Sequence, residues 1–180
     1  MGGAMFLGAL SFLYDVVASL ASGKKHHSSN VASWTTGQRV IMVGSSLCYL
    51  FCAWTWTSFG HLRLGQLFCF VAVFSVYADG LNDLIPPSIL SQTRIADRVC
   101  GSAGLILSNL INANSLSNGL VCLSATISAL CVLAWDRRIA RTQPHRRNKY
   151  LAIHSFWHVY GAGVVCGITF WVQGQQEGAD

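Results

Sequence analysis

The sequence predicts an all-α fold, a polytopic bundle of five or six transmembrane helices, and three observations carry that expectation. Hydrophobic residues make up 52% of the 180 and charged residues only 11%, less than half the charge content of a soluble domain. The apolar residues are gathered into segments of roughly 17 to 22, the length that crosses ~30 Å of hydrocarbon. Six of the twelve Lys and Arg residues fall between Arg137 and Lys149, directly beside hydrophobic segments, which is the positive-inside pattern of a membrane protein. An anionic lipid surface accounts for the net charge of +5, and nucleic acid is not expected as a partner. The chain divides into a hydrophobic helix with a polar basic loop (1–39), a transmembrane bundle (40–172) and a polar tail (173–180).

The segment from Met5 to Ala21 is apolar, carries Asp15 and ends at Gly23-Lys24-Lys25. It is either a first span or an amphipathic helix on the membrane surface. Its positive charges follow the apolar run, the reverse of a signal peptide, and Phe6 stands where a myristoylation site needs Ser or Thr. Residues 24–39, with His26-His27, form a polar loop.

The second span is Val40 to Phe59, with Trp54 and Trp56 placed in an aromatic belt. Gly60 to Arg63 is a tight turn that leaves His61 at the interface. The third span runs from Leu64 to Gly80 and becomes polar at its end, where Ser75 and Asp79 share a helix face at i, i+4. Pro86-Pro87 is expected to stop any helix and hold an extended connection.

The fourth span is expected from Ile95 to Asn114. That start puts Asp97 at a helix N-terminus, which favours a negative charge, and turns Asn109, Asn112 and Asn114 into the bundle. The fifth, Asn118 to Trp135, follows a short turn and lies antiparallel to the fourth, and Asp136-Arg137-Arg138 opens a basic loop. The sixth, Tyr150 to Val172, carries Gly163 and Gly167, a small-xxx-small pair suited to close contact with another helix or a membrane-protein partner. Seven cysteines lack the paired loop spacing of a disulfide framework and read as small apolar packing residues. Cys48 and Cys52 lie one helical turn apart.

This order of spans places the loops at 23–39, 81–96 and 136–149 on one side. They hold most of the Lys and Arg, so that side is expected to be cytoplasmic or its equivalent. Asp79 closes one span, Asp97 opens the next, and His154 and His158 open the last, so all four are expected to converge near that membrane face. Ionisable groups in a bundle are costly without partners. One explanation is a metal site, since imidazole and carboxylate suit zinc and three protein ligands leave a position for water. The other is structural, with carboxylate and imidazole hydrogen-bonded to each other to fix helix register.

The stretches Ser75-Val76-Tyr77-Ala78-Asp79, Asp97-Arg98-Val99-Cys100-Gly101-Ser102 and His154-Ser155-Phe156-Trp157-His158 resemble the motifs of a superfamily. It comprises the alkaline ceramidases, the adiponectin- and progestin-type receptors and related membrane proteins. The resemblance implies a zinc site with His154 and His158 as ligands and Asp79 where the family has its first histidine. Ser75 and Asp97 would then position or activate water for hydrolysis of a lipid amide or ester. The other function in view is a non-catalytic subunit of a membrane complex, its histidines binding haem or chlorophyll or serving helix packing.

Overall fold

The computed structural model describes residues 35–82, 84–142 and 147–177. The expected helix at Met5–Ala21, the loop with His26-His27 and the last residues of the tail lie outside them. Every regular element among the described residues is helical, and four segments are long and apolar enough to cross a membrane: Thr36–Ser58, Leu62–Gly80, Leu116–Ala140 and Arg147–Gln175. Large apolar side chains such as Val40, Phe51, Trp54, Phe70, Leu110 and Phe156 stand exposed on the outer surface. A monomer in water rarely exposes so much of this kind, whereas a bilayer requires it. The chain is an integral membrane helical protein.

The first crossing is two helices, α1 (Thr36–Ser46) and α2 (Tyr49–Ser58), where one unbroken span was expected. Thr35 and Gln38 cap α1 reciprocally, each side chain accepting from the other's backbone N–H at 3.3 and 3.1 Å. The break at Leu47-Cys48 has a local cause. Ser45 and Ser46 both donate their hydroxyls back to Met42 O, at 2.9 and 3.0 Å, a competition with the backbone ladder that bends helices.

Helix α3 (Leu62–Ser75) continues into a π-helical turn, Val76–Gly80, closed by a bond from Leu81 N–H to Val76 O at 2.9 Å. Such turns are rare and recur at functional sites. Gly80 is required by close approach, because a Cβ there would meet Val43 Cγ2 of α1 at 2.6 Å.

Helix α4 is Pro87–Asn112, eight residues longer at its start than the expected span. Pro86 is extended and Pro87 occupies the first helical turn, where a missing N–H costs nothing. The proline pair therefore starts this helix instead of keeping the connection extended. Asp97 consequently lies about ten residues inside α4, beyond the reach of its N-terminal dipole. Asn109 and Asn112 are buried as expected, while Asn114 is exposed in the turn after the helix, where its side chain accepts from Asn118 Nδ2 at 2.6 Å.

Helices α5 (Leu116–Thr142) and α6 (Arg147–Glu177) extend past their expected ends. Asp136 thus sits inside α5 and is only 5% exposed, where an open basic loop was expected. The core lies where α2, α3 and α6 meet and contains Cys52, Ala53, Trp56, Leu64, Phe68, Val71, Ala162 and Val165. Trp56 is fully buried and meets the ring of His61 edge-on at 5.2 Å, so only Trp54 of the expected aromatic pair faces outward. Gly163 and Gly167 are exposed, and a Cβ at either would touch nothing. Among the described residues they form no close helix contact.

Candidate metal centre

The end of the π-turn, the last turns of α5 and the first turns of α6 come together. His154 and His158 stand one turn apart with ring centroids 4.7 Å from each other. His154 Nε2 lies 3.2 Å from Asp79 Oδ2, and His158 Nε2 lies 3.7 Å from the same oxygen. Two ligands of one tetrahedral zinc, each at ~2.0–2.1 Å, are separated by about 3.4 Å. The two contacts bracket that distance. One ligating atom from each of Asp79, His154 and His158 lies within 4.8 Å of the others, so the group could hold a metal ion.

The other nitrogen of each ring is engaged by the protein. His154 Nδ1 is 3.1 Å from Asp136 Oδ2. His158 Nδ1 faces the hydroxyls of Ser46 at 3.2 Å and Ser45 at 3.4 Å. These contacts fix ring orientation and leave both Nε2 atoms directed at one place, the arrangement by which outer partners prepare histidine for a metal. Tyr150 stacks on His154 at 5.1 Å and Tyr49 covers His158 at 5.6 Å.

Among the described residues His154 Nε2 has no hydrogen-bond partner, although Asp79 Oδ2 is near. The two atoms are at ion-pair distance, with no hydrogen bond of full geometry between them. A buried polar atom left in this way is costly, and a purely structural imidazole–carboxylate pair would align the two. An ion between them removes the mismatch, so the donor set fits a metal with nitrogen and oxygen preference. His158 is 3% exposed, and the Asp79 side chain retains 17% of its exposure.

Ser75 and Asp97 are also brought together. Ser75 is buried and donates its hydroxyl to Asp97 Oδ1 at 2.5 Å. Asp97 lies within electrostatic reach of both Asp79 and His154 but is not one of the ligating group. Arg94 and Arg98 contribute positive field to Asp79 and Asp97 respectively.

Three neighbours were not identified from the sequence: Asp136, Ser45 and Ser46. Asp136 could have been found by counting. Residues 143–146 connect α5 to α6, and Asp136 and His154 stand at nearly equal distances before and after them. Facing depths in an antiparallel hairpin follow from that symmetry. The serine pair carries no such signal, because its role depends on the break it makes in the first crossing.

Fold and site together define an integral membrane helical protein with a buried Asp-His-His group able to hold a metal ion. Comparison with known protein-family models, curated proteins and solved structures gives no match.

Proposed function

We propose that the protein is a metal-dependent membrane hydrolase acting on lipid amide or ester bonds, with zinc held by Asp79, His154 and His158. The observation that carries this reading is the convergence of both Nε2 atoms on Asp79 while Asp136 and the Ser45–Ser46 pair hold the opposite ring nitrogens. Three protein ligands are the number used by catalytic zinc sites, and a zinc ion there supplies Lewis acidity and brings the pKa of coordinated water to near 7.

The chain supplies the rest. Asp97 Oδ1 is occupied by the Ser75 hydroxyl, which orients the carboxylate and leaves Oδ2 to take a proton from the attacking water and return it to the leaving group. His154 and His158 are held by Asp136 and the serines against rotation, so their lone pairs stay in place through the reaction. A site near the ends of membrane-spanning helices is compatible with a substrate whose amide or ester lies near a membrane surface. Similarity of the three motifs to the ceramidase and adiponectin-receptor superfamily supports the same assignment. Haem or chlorophyll is less compatible with the geometry, since both Nε2 atoms face one carboxylate oxygen instead of an open plane.

Metal content of the purified chain tests the reading. About one zinc per chain is expected. Asp97→Asn should keep that zinc and lower turnover of a lipid amide or ester by about 10²- to 10⁴-fold, the usual contribution of a positioned proton-transfer group. Absence of stoichiometric metal, or full turnover in the Asp97 variant, would defeat it.

A further inference from the structure

A second cluster of reactive side chains lies away from the metal centre. Cys52 of α2 and Cys166 of α6 face each other with their sulfurs 3.6 Å apart, and both are free thiols. Cys166 is about 12 Å further along α6 than His158, at 1.5 Å rise per residue. The pair belongs to the apolar core, beside Ala53, Trp56, Ala162 and Val165.

The two thiols are not equivalent. Cys52 is fully buried and donates to Ala162 O at 3.6 Å. Cys166 is half-buried, and its sulfur accepts from the Thr55 hydroxyl at 3.5 Å. That bond supports negative charge on sulfur, the form that reacts. Cys166 is also the member that can be reached from outside. Gly163, one turn earlier on α6, is exposed and has open space where a side chain would stand. The surface around it, including Val159 and Phe170, is apolar and exposed, so what reaches this sulfur arrives through the lipid.

We infer that Cys52 and Cys166 form a dithiol site that hydroperoxides of the surrounding lipid oxidise to a disulfide. Cys166 attacks the terminal peroxide oxygen, the O–O bond breaks, and the lipid leaves as its alcohol with the thiol proton while Cys166 becomes a sulfenic acid. Cys52 then attacks the Cys166 sulfur, a sulfur–sulfur bond forms, and water leaves. One hydroperoxide and two thiols give one alcohol, one disulfide and one water, so the two electrons lost by sulfur are those gained by the peroxide. A disulfide needs its sulfurs at about 2.0 Å. The 3.6 Å separation closes by side-chain rotation with a small approach of two helices already packed together. The product ties α2 to the helix that carries His154 and His158.

The full chain in lipid nanodiscs provides the test, with and without a phospholipid hydroperoxide in the bilayer. Maleimide labelling after denaturation should fall from seven thiols to five, with a Cys52–Cys166 linked peptide in the mass spectrum and full recovery after reduction. Cys52→Ala should stop at a sulfenic acid on Cys166 that a dimedone probe captures. Seven labelled thiols after treatment, a linkage through Cys48 or any other cysteine, or oxidation by aqueous hydrogen peroxide but not by the lipid hydroperoxide would each overturn the inference. Metal content does not enter this measurement, so its outcome is separate from that of the hydrolase reading.

Discussion

The two halves of the bundle use polar side chains in opposite ways. Toward the opposite membrane face from the metal centre, they pair off between helices. Asn109 Nδ2 donates to Thr126 Oγ1 at 2.8 Å, Asn112 Nδ2 to Thr169 Oγ1 at 3.1 Å, and, nearer the middle, Tyr160 OH to Ser128 Oγ at 2.8 Å. These groups are neutral, and each pair joins two neighbouring helices. Toward the basic face the polar groups are ionisable and several aim at one point; His154 Nε2 and Asp136 Oδ1 there lack hydrogen bonds, as do Ser108 Oγ and Trp56 Nε1 in the other half. Neutral pairs of this kind are ordinary glue between membrane helices. Convergence of ionisable groups on one point, not the presence of unpaired atoms, is what distinguishes the half that could hold an ion.

Removing the shared acceptor is the strongest way to break that contrast. Asp79→Ala takes away the one oxygen that both Nε2 atoms face, and the purified variant should lose stoichiometric metal. Circular dichroism should still report the helices, whose backbone hydrogen bonds do not depend on the Asp79 side chain. Retention of metal at the wild-type level would show that the two histidines bind elsewhere and that the convergence on Asp79 is coincidental.

A smaller effect comes from the partner behind the ligand. Asp136→Asn preserves shape but weakens the contact to His154 Nδ1. Loss of such an outer partner typically costs 10- to 100-fold in metal affinity, which is about 1.4 to 2.7 kcal/mol at ~1.4 kcal/mol per tenfold. Competition against a chelator of known affinity measures it. If Asp136 only fixes helix register, chelator competition will be unchanged while thermal stability falls.

The membrane bundle and the meeting of Asp79 with the two histidines were legible in the sequence. Both rest on apolar length and on the order of the helices, which survive small errors in helix boundaries. What failed were the details that boundaries control. Taking Pro86-Pro87 as a stop moved the start of α4 by about two turns and gave Asp97 a dipole role it does not have. Ending the fifth span at Trp135 put Asp136 in a loop, when it is buried against His154. Proline can open a helix as readily as close one, and basic residues beside a span can stay helical, their long side chains reaching the interface from within the helix. Trp56 was assigned to the belt because aromatic identity alone does not distinguish a lipid-facing face from a core face one residue pair away.

The smallest predicted effect probes the other half of the comparison. Asn112 is 1% exposed, donates to Thr169 and accepts from Gln173 Nε2 at 3.5 Å. Asn112→Val removes both contacts, leaving Thr169 to its existing bond with Val165 O at 2.8 Å. Because Thr169 keeps that partner its hydroxyl is not orphaned, and the half-buried Gln173 amide loses only a long contact, so the penalty should stay near the ~0.6 kcal/mol average for hydrogen bonds between membrane helices. Unfolding in mixed micelles should show that shift with metal content unaltered. A loss of metal from this position would mean the two halves are coupled through α6, and the polar pairs would then belong to the site instead of to the packing. Parallel insensitivity in Asn109→Val, which leaves Thr126 its own bond to Cys122 O at 2.8 Å, would place the neutral network firmly on the structural side of the division.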